Sequence, residues 1–117
     1  RFWVLERGGA VAGCVAAATR VPGLRVELKK CYLMPALRGR GWGRRLCETV
    51  EAYAAATGCR EVELWSDTRF TAGHRAYAGC GYLRSGAIRE LHDLSRSTEW
   101  HFWKQLALQP PAEGASI

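Results

Sequence analysis

The sequence lacks the features that mark membrane-spanning, metal-binding and disulfide-crosslinked proteins. No apolar run approaches the roughly 18 residues that a membrane helix needs, and no charged start followed by an apolar run and a small-residue cleavage site marks a secretion signal. The five cysteines are widely spaced and form neither a C-x-x-C pair nor a Cys/His ligand set. These absences predict a cytoplasmic protein with reduced thiols, no metal site and no membrane partner.

Positive charge is in surplus, and part of it is concentrated in one place. The chain carries 17 Lys and Arg against 11 Asp and Glu, a net charge of +6. Such a surplus is typical of a solvated basic surface, of a protein with an anionic ligand, or of a nucleic-acid-binding domain. Four arginines cluster beside glycines at positions 38, 40, 44 and 45. A local cluster favours a phosphate ligand over a stripe along DNA, although a basic DNA-binding domain stays open as an alternative.

The apolar patterning predicts one α/β (α+β) domain. A length of 117 residues is typical of a single domain. Alternating residues bounded by Gly and Pro turns predict strands, and a stripe of apolar residues three or four apart predicts a helix after residue 43. We expect the order β-β-β-α-β-α-β-β over residues 1–106 and a flexible tail over residues 107–117. The predicted strands are residues 2–6, 10–19, 25–33, 61–65, 82–91 and 98–106, and the second helix is 71–79.

The third and fourth predicted strands should form a parallel pair. They flank a helix, and a strand–helix–strand unit normally makes a right-handed crossover. In the third strand the alternation of Val26 and Leu28 with charged residues slips at Lys30-Cys31. This slip predicts a bend or bulge near the end of the strand.

The segment Arg38-Gly39-Arg40-Gly41-Trp42-Gly43 joins this strand to the helix and is typical of an anion site. Glycines permit close approach of the backbone, and the first helical turn offers unpaired N–H groups with a favourable dipole. Arg40, Arg44 and Arg45 could add charge-assisted hydrogen bonds. No Lys-Ser or Lys-Thr follows, which excludes a P-loop, and Arg44 replaces the third glycine of a dinucleotide fingerprint. The glycines could also serve the backbone alone.

Two motifs make the sequence resemble the GNAT superfamily of acetyl-CoA-dependent N-acetyltransferases. Arg38, Gly41 and Gly43 match the family signature [QR]-x-x-G-x-[GA] between a strand and a helix. Tyr77, Gly81 and Tyr82 match the later motif Y-x-x-x-G-[FY]. The resemblance spans residues 2–106, and both motifs stand in the family's order of elements.

This resemblance implies a mixed, mostly antiparallel sheet whose central parallel pair splays apart. The pantetheine arm of acetyl-CoA would lie in the gap and pair with the backbone near Tyr32 and Leu33, where a strand N–H group would polarise the thioester carbonyl. The pyrophosphate would meet the N–H groups of the glycine turn. The implied cofactor-binding residues are Tyr32, Leu33, Arg38, Gly39, Arg40, Gly41, Trp42, Gly43 and Arg44.

The implied activity is direct transfer of an acetyl group to a primary amine in a ternary complex. Tyr77 is the candidate acid for the leaving thiolate, because a phenol near the sulfur can donate its proton; the alternative is a tyrosine ring that packs on the core. Glu27 is the candidate base, since it lies 11 residues before Arg38, as in some family members. The alternative for Glu27 is an ordinary ion pair with Lys or Arg.

The sequence also departs from the family pattern. Phe70 stands where many members have an asparagine that reaches the cofactor arm, and the family's usual first strand and first two helices have no counterpart before Arg1. A CoA-binding module with little catalytic activity, acting in regulation or interaction, is therefore a second hypothesis. The resemblance leaves several acceptor amines open, namely polyamines, aminoglycosides, amino acids and protein N-termini or lysines, and it is compatible with a homodimer.

Overall fold

The structure, a computed structural model, describes residues 1–107. It contains six strands and two α-helices in the predicted order, which confirms the expected fold class. The predicted flexible tail lies, apart from its first residue, outside the described residues. The elements are β1 Phe2–Arg7, β2 Ala10–Val21, β3 Arg25–Leu33, α1 Trp42–Ala56, β4 Glu61–Asp67, α2 Thr71–Gly79, β5 Leu83–Glu90 and β6 Thr98–Gln105.

The strands form one sheet in the order β1-β2-β3-β4-β6-β5. β5 therefore occupies an edge, and β6 lies between β4 and β5. The prediction began β5 at Tyr82, but the strand begins one residue later. Tyr82 is instead buried, and its hydroxyl donates to Glu51 Oε2 at 3.0 Å. This residue thus anchors the end of α2 to α1.

The predicted parallel pair is present and short. β3 and β4 pair in parallel over Arg25↔Glu61, Val26↔Val62 and Glu27↔Glu63. β3 continues to Leu33 and β4 to Asp67, so both strands run on without pairing to each other. This separation confirms the predicted splayed pair and leaves a gap in the middle of the sheet.

The predicted bulge lies at Lys30. Cys14 of β2 pairs with Tyr32, but Ala16 pairs with Lys29, so two residues of β3 oppose one residue of β2. Lys30 has a φ of 54°, which is rare for a residue with a side chain. An extra residue reverses the alternation of side chains. Side chains after Lys30 consequently lie on the opposite face of the sheet from the one that uninterrupted alternation along the strand would give them.

Both helices lie on one face of the sheet, and α1 supplies most of the core contacts there. Its residues Leu46, Val50 and Ala54 are spaced four apart and are buried. They belong to one apolar cluster with the strand residues Val26 and Val62. The predicted helix is therefore present, with its apolar stripe buried against the sheet, and α1 begins at the open end of the gap.

A glycine inside α2 has a packing reason. A side chain at Gly73 would place its Cβ atom 2.3 Å from the ring of Phe70. The aromatic ring therefore lies directly on the helix backbone, at the start of α2. This close contact explains why a residue that weakens a helix occupies the interior of α2.

Replacing a fully buried strand residue should destabilise this sheet strongly. Leu64 is 1% exposed in the centre of the core, so we expect Leu64→Ala to lower the free energy of unfolding by about 2–5 kcal/mol. Leu83 is 63% exposed, and Leu83→Ala should change stability by no more than about 0.5 kcal/mol. Urea denaturation of the two variants measures both values. Equal effects would contradict the assigned core.

Candidate active site

A cavity of about 330 Å³ lies where the gap in the sheet meets the two helices. Its walls come from the end of β3, the start of α1 and the residues 70–80 around α2. The structure thus brings together three segments that are far apart in the sequence. The predicted site residues that line this cavity are Tyr32, Leu33, Arg38, Gly39, Gly43 and Tyr77.

The first turn of α1 presents backbone N–H groups toward this region. Gly41 is the N-cap residue with a φ of 84°, and among the described residues no side chain caps the helix. The amide of Arg45 donates to Gly41 O at 3.2 Å, so the amides of Trp42, Gly43 and Arg44 precede the first intrahelical donor. The first turn carries no acidic residue. The positive end of the helix dipole is therefore available to an anion.

Two arginines stabilise the site through hydrogen bonds to backbone carbonyl groups. Arg38 Nε donates to the carbonyl oxygen of Leu33 at 3.0 Å and ties the turn back to β3. An Arg44 guanidinium nitrogen donates to the carbonyl oxygen of Gly79 at 2.9 Å and ties α1 to the end of α2. The predicted charge-assisted role of the Arg44 side chain therefore competes with a structural bond, whereas its backbone amide remains available.

The other two arginines are positioned differently. The Arg45 guanidinium lies 5.0 Å from the centroid of the Trp42 ring, within the range of a cation–π interaction. Arg40 is exposed, and the contacts within residues 1–107 give its side chain no hydrogen-bond partner. Of these four arginines, Arg40 is the one whose guanidinium is most available to a phosphate.

The end of β3 offers backbone groups to the gap. Tyr32 and Leu33 pair with β2 on one edge of the strand, while on the other edge β4 has already separated. Gly13 of β2 permits this arrangement, because a Cβ atom there would lie 2.9 Å from the carbonyl oxygen of Tyr32. An extended ligand in the gap could therefore pair with the free edge of β3 as an added strand does.

Tyr77 projects from α2 into the cavity, opposite Cys31 of β3. Burial raises the pKa of the Tyr77 hydroxyl well above its usual range, and the nearby thiols of Cys31 and Cys47 add to the effect. Burial likewise raises the pKa of the Cys31 thiol. Because the buried part of the cavity around Tyr77 disfavours anions, Tyr77 stays protonated at physiological pH, and a thiolate formed beside it would be more basic than in water.

The structure does not bring Glu27 to this cavity. Val26 and Leu28 face the core under α1, so Glu27 points to the other face of the sheet. Its carboxylate accepts a hydrogen bond from Arg20 Nε, and the residue is 4% exposed. The ion pair foreseen as the alternative is therefore present, at the closed end of the gap.

Two cysteines that the sequence reasoning did not assign to the site also line the cavity. They are Cys47 and Cys80. Cys47 lies one helical turn after Gly43, and Cys80 lies three residues after Tyr77, so each shares a helix face with a predicted site residue. This spacing could have predicted that both cysteines lie in the site. Phe70, which stands at the departure from the family pattern, contributes an apolar wall.

Residues 1–107 contain no cluster of three or more His, Cys, Asp or Glu side chains arranged to hold a metal ion. None of the helices described there is long and apolar enough to cross a membrane.

Comparison with curated proteins gives relatives with acetyltransferase or synthetase names. A protein of Azospirillum brasilense named IAA acetyltransferase is 43% identical over 58 residues, which cover 50% of this chain and 38% of that protein. A protein of Danio rerio named N-acetylaspartate synthetase is 32% identical over 98 residues, which cover 82% of this chain and 35% of that protein. The chain spans little more than a third of the length of these relatives.

Solved structures share the fold at low identity. Ard1 from Thermoplasma volcanium matches with a TM-score of 0.81 and 17% identity over 92% of this chain and 71% of its own. A Bacillus subtilis acetyltransferase, solved in complex with CoA, matches with a TM-score of 0.73 and 16% identity over 91% of this chain and 76% of its own. The model of the acetyltransferase (GNAT) family matches residues 1–82 of the 117. By fold and by sequence, the chain belongs to the GNAT acetyltransferase family.

Proposed function

We propose that this protein binds acetyl-CoA and transfers its acetyl group directly to a primary amine. The observation that carries the proposal is the 330 Å³ cavity, which joins the glycine turn, the free edge of β3 and the Tyr77 side chain. A cofactor anchored by phosphate at the start of α1 would extend along β3 and reach Tyr77 with its sulfur. The CoA complex of the Bacillus subtilis relative supports this ligand class.

Acetyl-CoA would be held mainly by backbone groups. The amides from Gly39 to Arg44 surround the start of α1, where the helix dipole favours the pyrophosphate. Trp42 and the exposed Arg40 lie in this turn. The pantetheine arm would pair with the edge of β3 at Tyr32 and Leu33 and cover the apolar wall of Phe70.

Tyr77 would act as the acid when the thioester breaks. The neutral amine attacks the carbonyl carbon, the carbon–sulfur bond breaks, and the Tyr77 hydroxyl gives its proton to the departing thiolate. The nitrogen loses one proton as the amide forms, and an equivalent proton returns to Tyr77. Burial raises the pKa of Tyr77, which makes a phenol a weaker acid, but the same burial makes the thiolate a stronger base. The two effects oppose each other, because the phenol and the thiolate share the same buried environment.

The amine must lose a proton before it attacks, and Glu27 remains the proposed base. It lies beside Glu63 at the point where β3 and β4 separate, so water in the gap could link its carboxylate to an acceptor. The ion pair with Arg20 would compete with proton uptake. The acceptor approaches from the face opposite the helices, because the cofactor would occupy the cavity on the helix side.

A second candidate function is CoA binding with little catalysis, in a regulatory or interaction role. The observation that favours it is the position of Glu27, which is ion-paired and outside the cavity. Free-thiol release with a panel of primary amines separates the two functions. Thermal stabilisation by acetyl-CoA without thiol release from any amine would support the binding module.

Gly41→Val should weaken acetyl-CoA binding. A β-branched residue at a φ of 84° is strained and would displace the amides at the start of α1. We expect the Kd to rise by at least about tenfold, or ~1.4 kcal/mol, in isothermal titration calorimetry. Gly8→Val is the matched control, since Gly8 has a φ of 59° in the β1–β2 turn and should keep wild-type affinity. An unchanged Kd for Gly41→Val would refute the phosphate turn.

Tyr77→Phe should lower kcat by about 100-fold, the usual contribution of a general acid, with little change in the KM for acetyl-CoA. The ring and its packing remain, and only the proton donor is lost. Thiol release with an accepted amine measures both constants. Tyr53→Phe is the control, because Tyr53 packs against Trp3 on the far part of α1. Wild-type turnover in Tyr77→Phe would remove Tyr77 as the acid.

A further inference from the structure

Three side chains on the sheet face opposite the helices form a hydrogen-bonded chain. Ser85 Oγ lies 2.7 Å from His101 Nδ1, and His101 Nε2 lies 3.1 Å from Glu63 Oε1. The carboxylate can only accept, so Nε2 carries the imidazole proton and Nδ1 accepts from the Ser85 hydroxyl. A nucleophile, a base and a group that orients the base are thus in sequence, as in hydrolase triads.

The surroundings hold the imidazole and leave the serine open. The side chains of His101 and Glu63 are 17% and 12% exposed, while Ser85 is exposed. The Trp65 ring lies 4.8 Å from the His101 ring, and the Arg89 guanidinium lies 4.4 Å above Trp65. A base held by a carboxylate and an aromatic ring, next to a nucleophile that solvent can reach, is the arrangement that acyl transfer to serine needs.

A bulge in the edge strand points Ser85 toward this base. Arg84 pairs with Phe102 and Ile88 with Trp100, so residues 85–87 of β5 stand opposite His101 alone. The Ala87 amide donates to Ser85 Oγ at 3.1 Å. This N–H group fixes the position of the Ser85 oxygen beside His101.

We propose that Ser85, His101 and Glu63 form a second acyl-transfer site, which accepts acyl groups from small activated esters and releases them to water. Ser85 is the nucleophile, His101 the base, and Glu63 a positioning residue that acts through His101. Leu83 lies two residues before Ser85 on the same side of β5, is 63% exposed, and pairs with Trp103. This small apolar surface suits the aryl group of an aryl ester.

The reaction balances without a cofactor. The Ser85 hydroxyl proton moves to His101 Nδ1 as Oγ bonds to the ester carbonyl carbon. The bond from that carbon to the leaving oxygen breaks, and the leaving alkoxide or phenoxide takes the proton from Nδ1. Water then gives a proton to Nδ1, attacks the acyl-serine and releases the carboxylic acid, and the proton returns to Ser85.

Two probes test the site on the whole chain without acetyl-CoA. The first is release of p-nitrophenolate from p-nitrophenyl acetate, and the second is covalent labelling by a fluorophosphonate with peptide mapping. We expect turnover above the buffer rate and a label on Ser85. Ser85→Ala should lose both, and His101→Gln should slow turnover by about 100-fold. Ser95→Ala, which removes another exposed serine, should keep both.

The test of Glu63 must use a measurement that loss of packing alone would not change. We expect Glu63→Gln to lower kcat for the aryl ester with KM unchanged, and Glu63→Asp to restore part of kcat. Thermal melts establish that each variant is folded. A wild type with neither turnover nor label, a label on another residue, or a Ser85→Ala variant as fast as wild type would each overturn the proposal. None of these outcomes depends on whether the protein binds CoA.

Discussion

The separation of β3 from β4 after three residue pairs is the constraint on which the proposed site depends. Backbone groups that a continuous sheet would use between strands are left facing a gap. The bulge at Lys30 acts with this separation, because it turns Cys31 and Leu33 toward the helices. Without the bulge these two side chains would share the face of Glu27, and the cavity would lose its strand wall.

Charge and burial divide this cavity into two chemical regions. At the mouth beside the start of α1, amides without an intrahelical partner and the neighbouring exposed Arg40 create a positive surface that favours phosphate. Around Tyr77, burial raises the pKa of the phenol and of the Cys31 and Cys47 thiols. An extended ligand with an anionic end and a thioester end suits both regions at once. Its charge stays in the exposed region, and the bond that breaks lies in the buried region.

Local patterns predicted the elements, the bulge and the glycine turn, because each depends on residues close in sequence, and the strand–helix–strand order predicted the parallel pair. Other features depend on pairing between distant segments. Glu27 pairs with Arg20 and lies outside the cavity because the helices cover the other face of β3. That Arg44 bonds to the end of α2 follows from how the two helices pack. The chain of Ser85, His101 and Glu63 requires β6 to lie between β4 and β5, which no local pattern indicates.

The central claim is that a ligand in the gap contacts the glycine turn and the edge of β3 together. Backbone amide chemical shifts during a titration with acetyl-CoA test it directly. The account predicts the largest changes at residues 31–33 and 39–44, with small changes in β1 and in the Arg7-Gly8-Gly9 turn. Saturable binding that leaves residues 31–33 and 39–44 unshifted would contradict it.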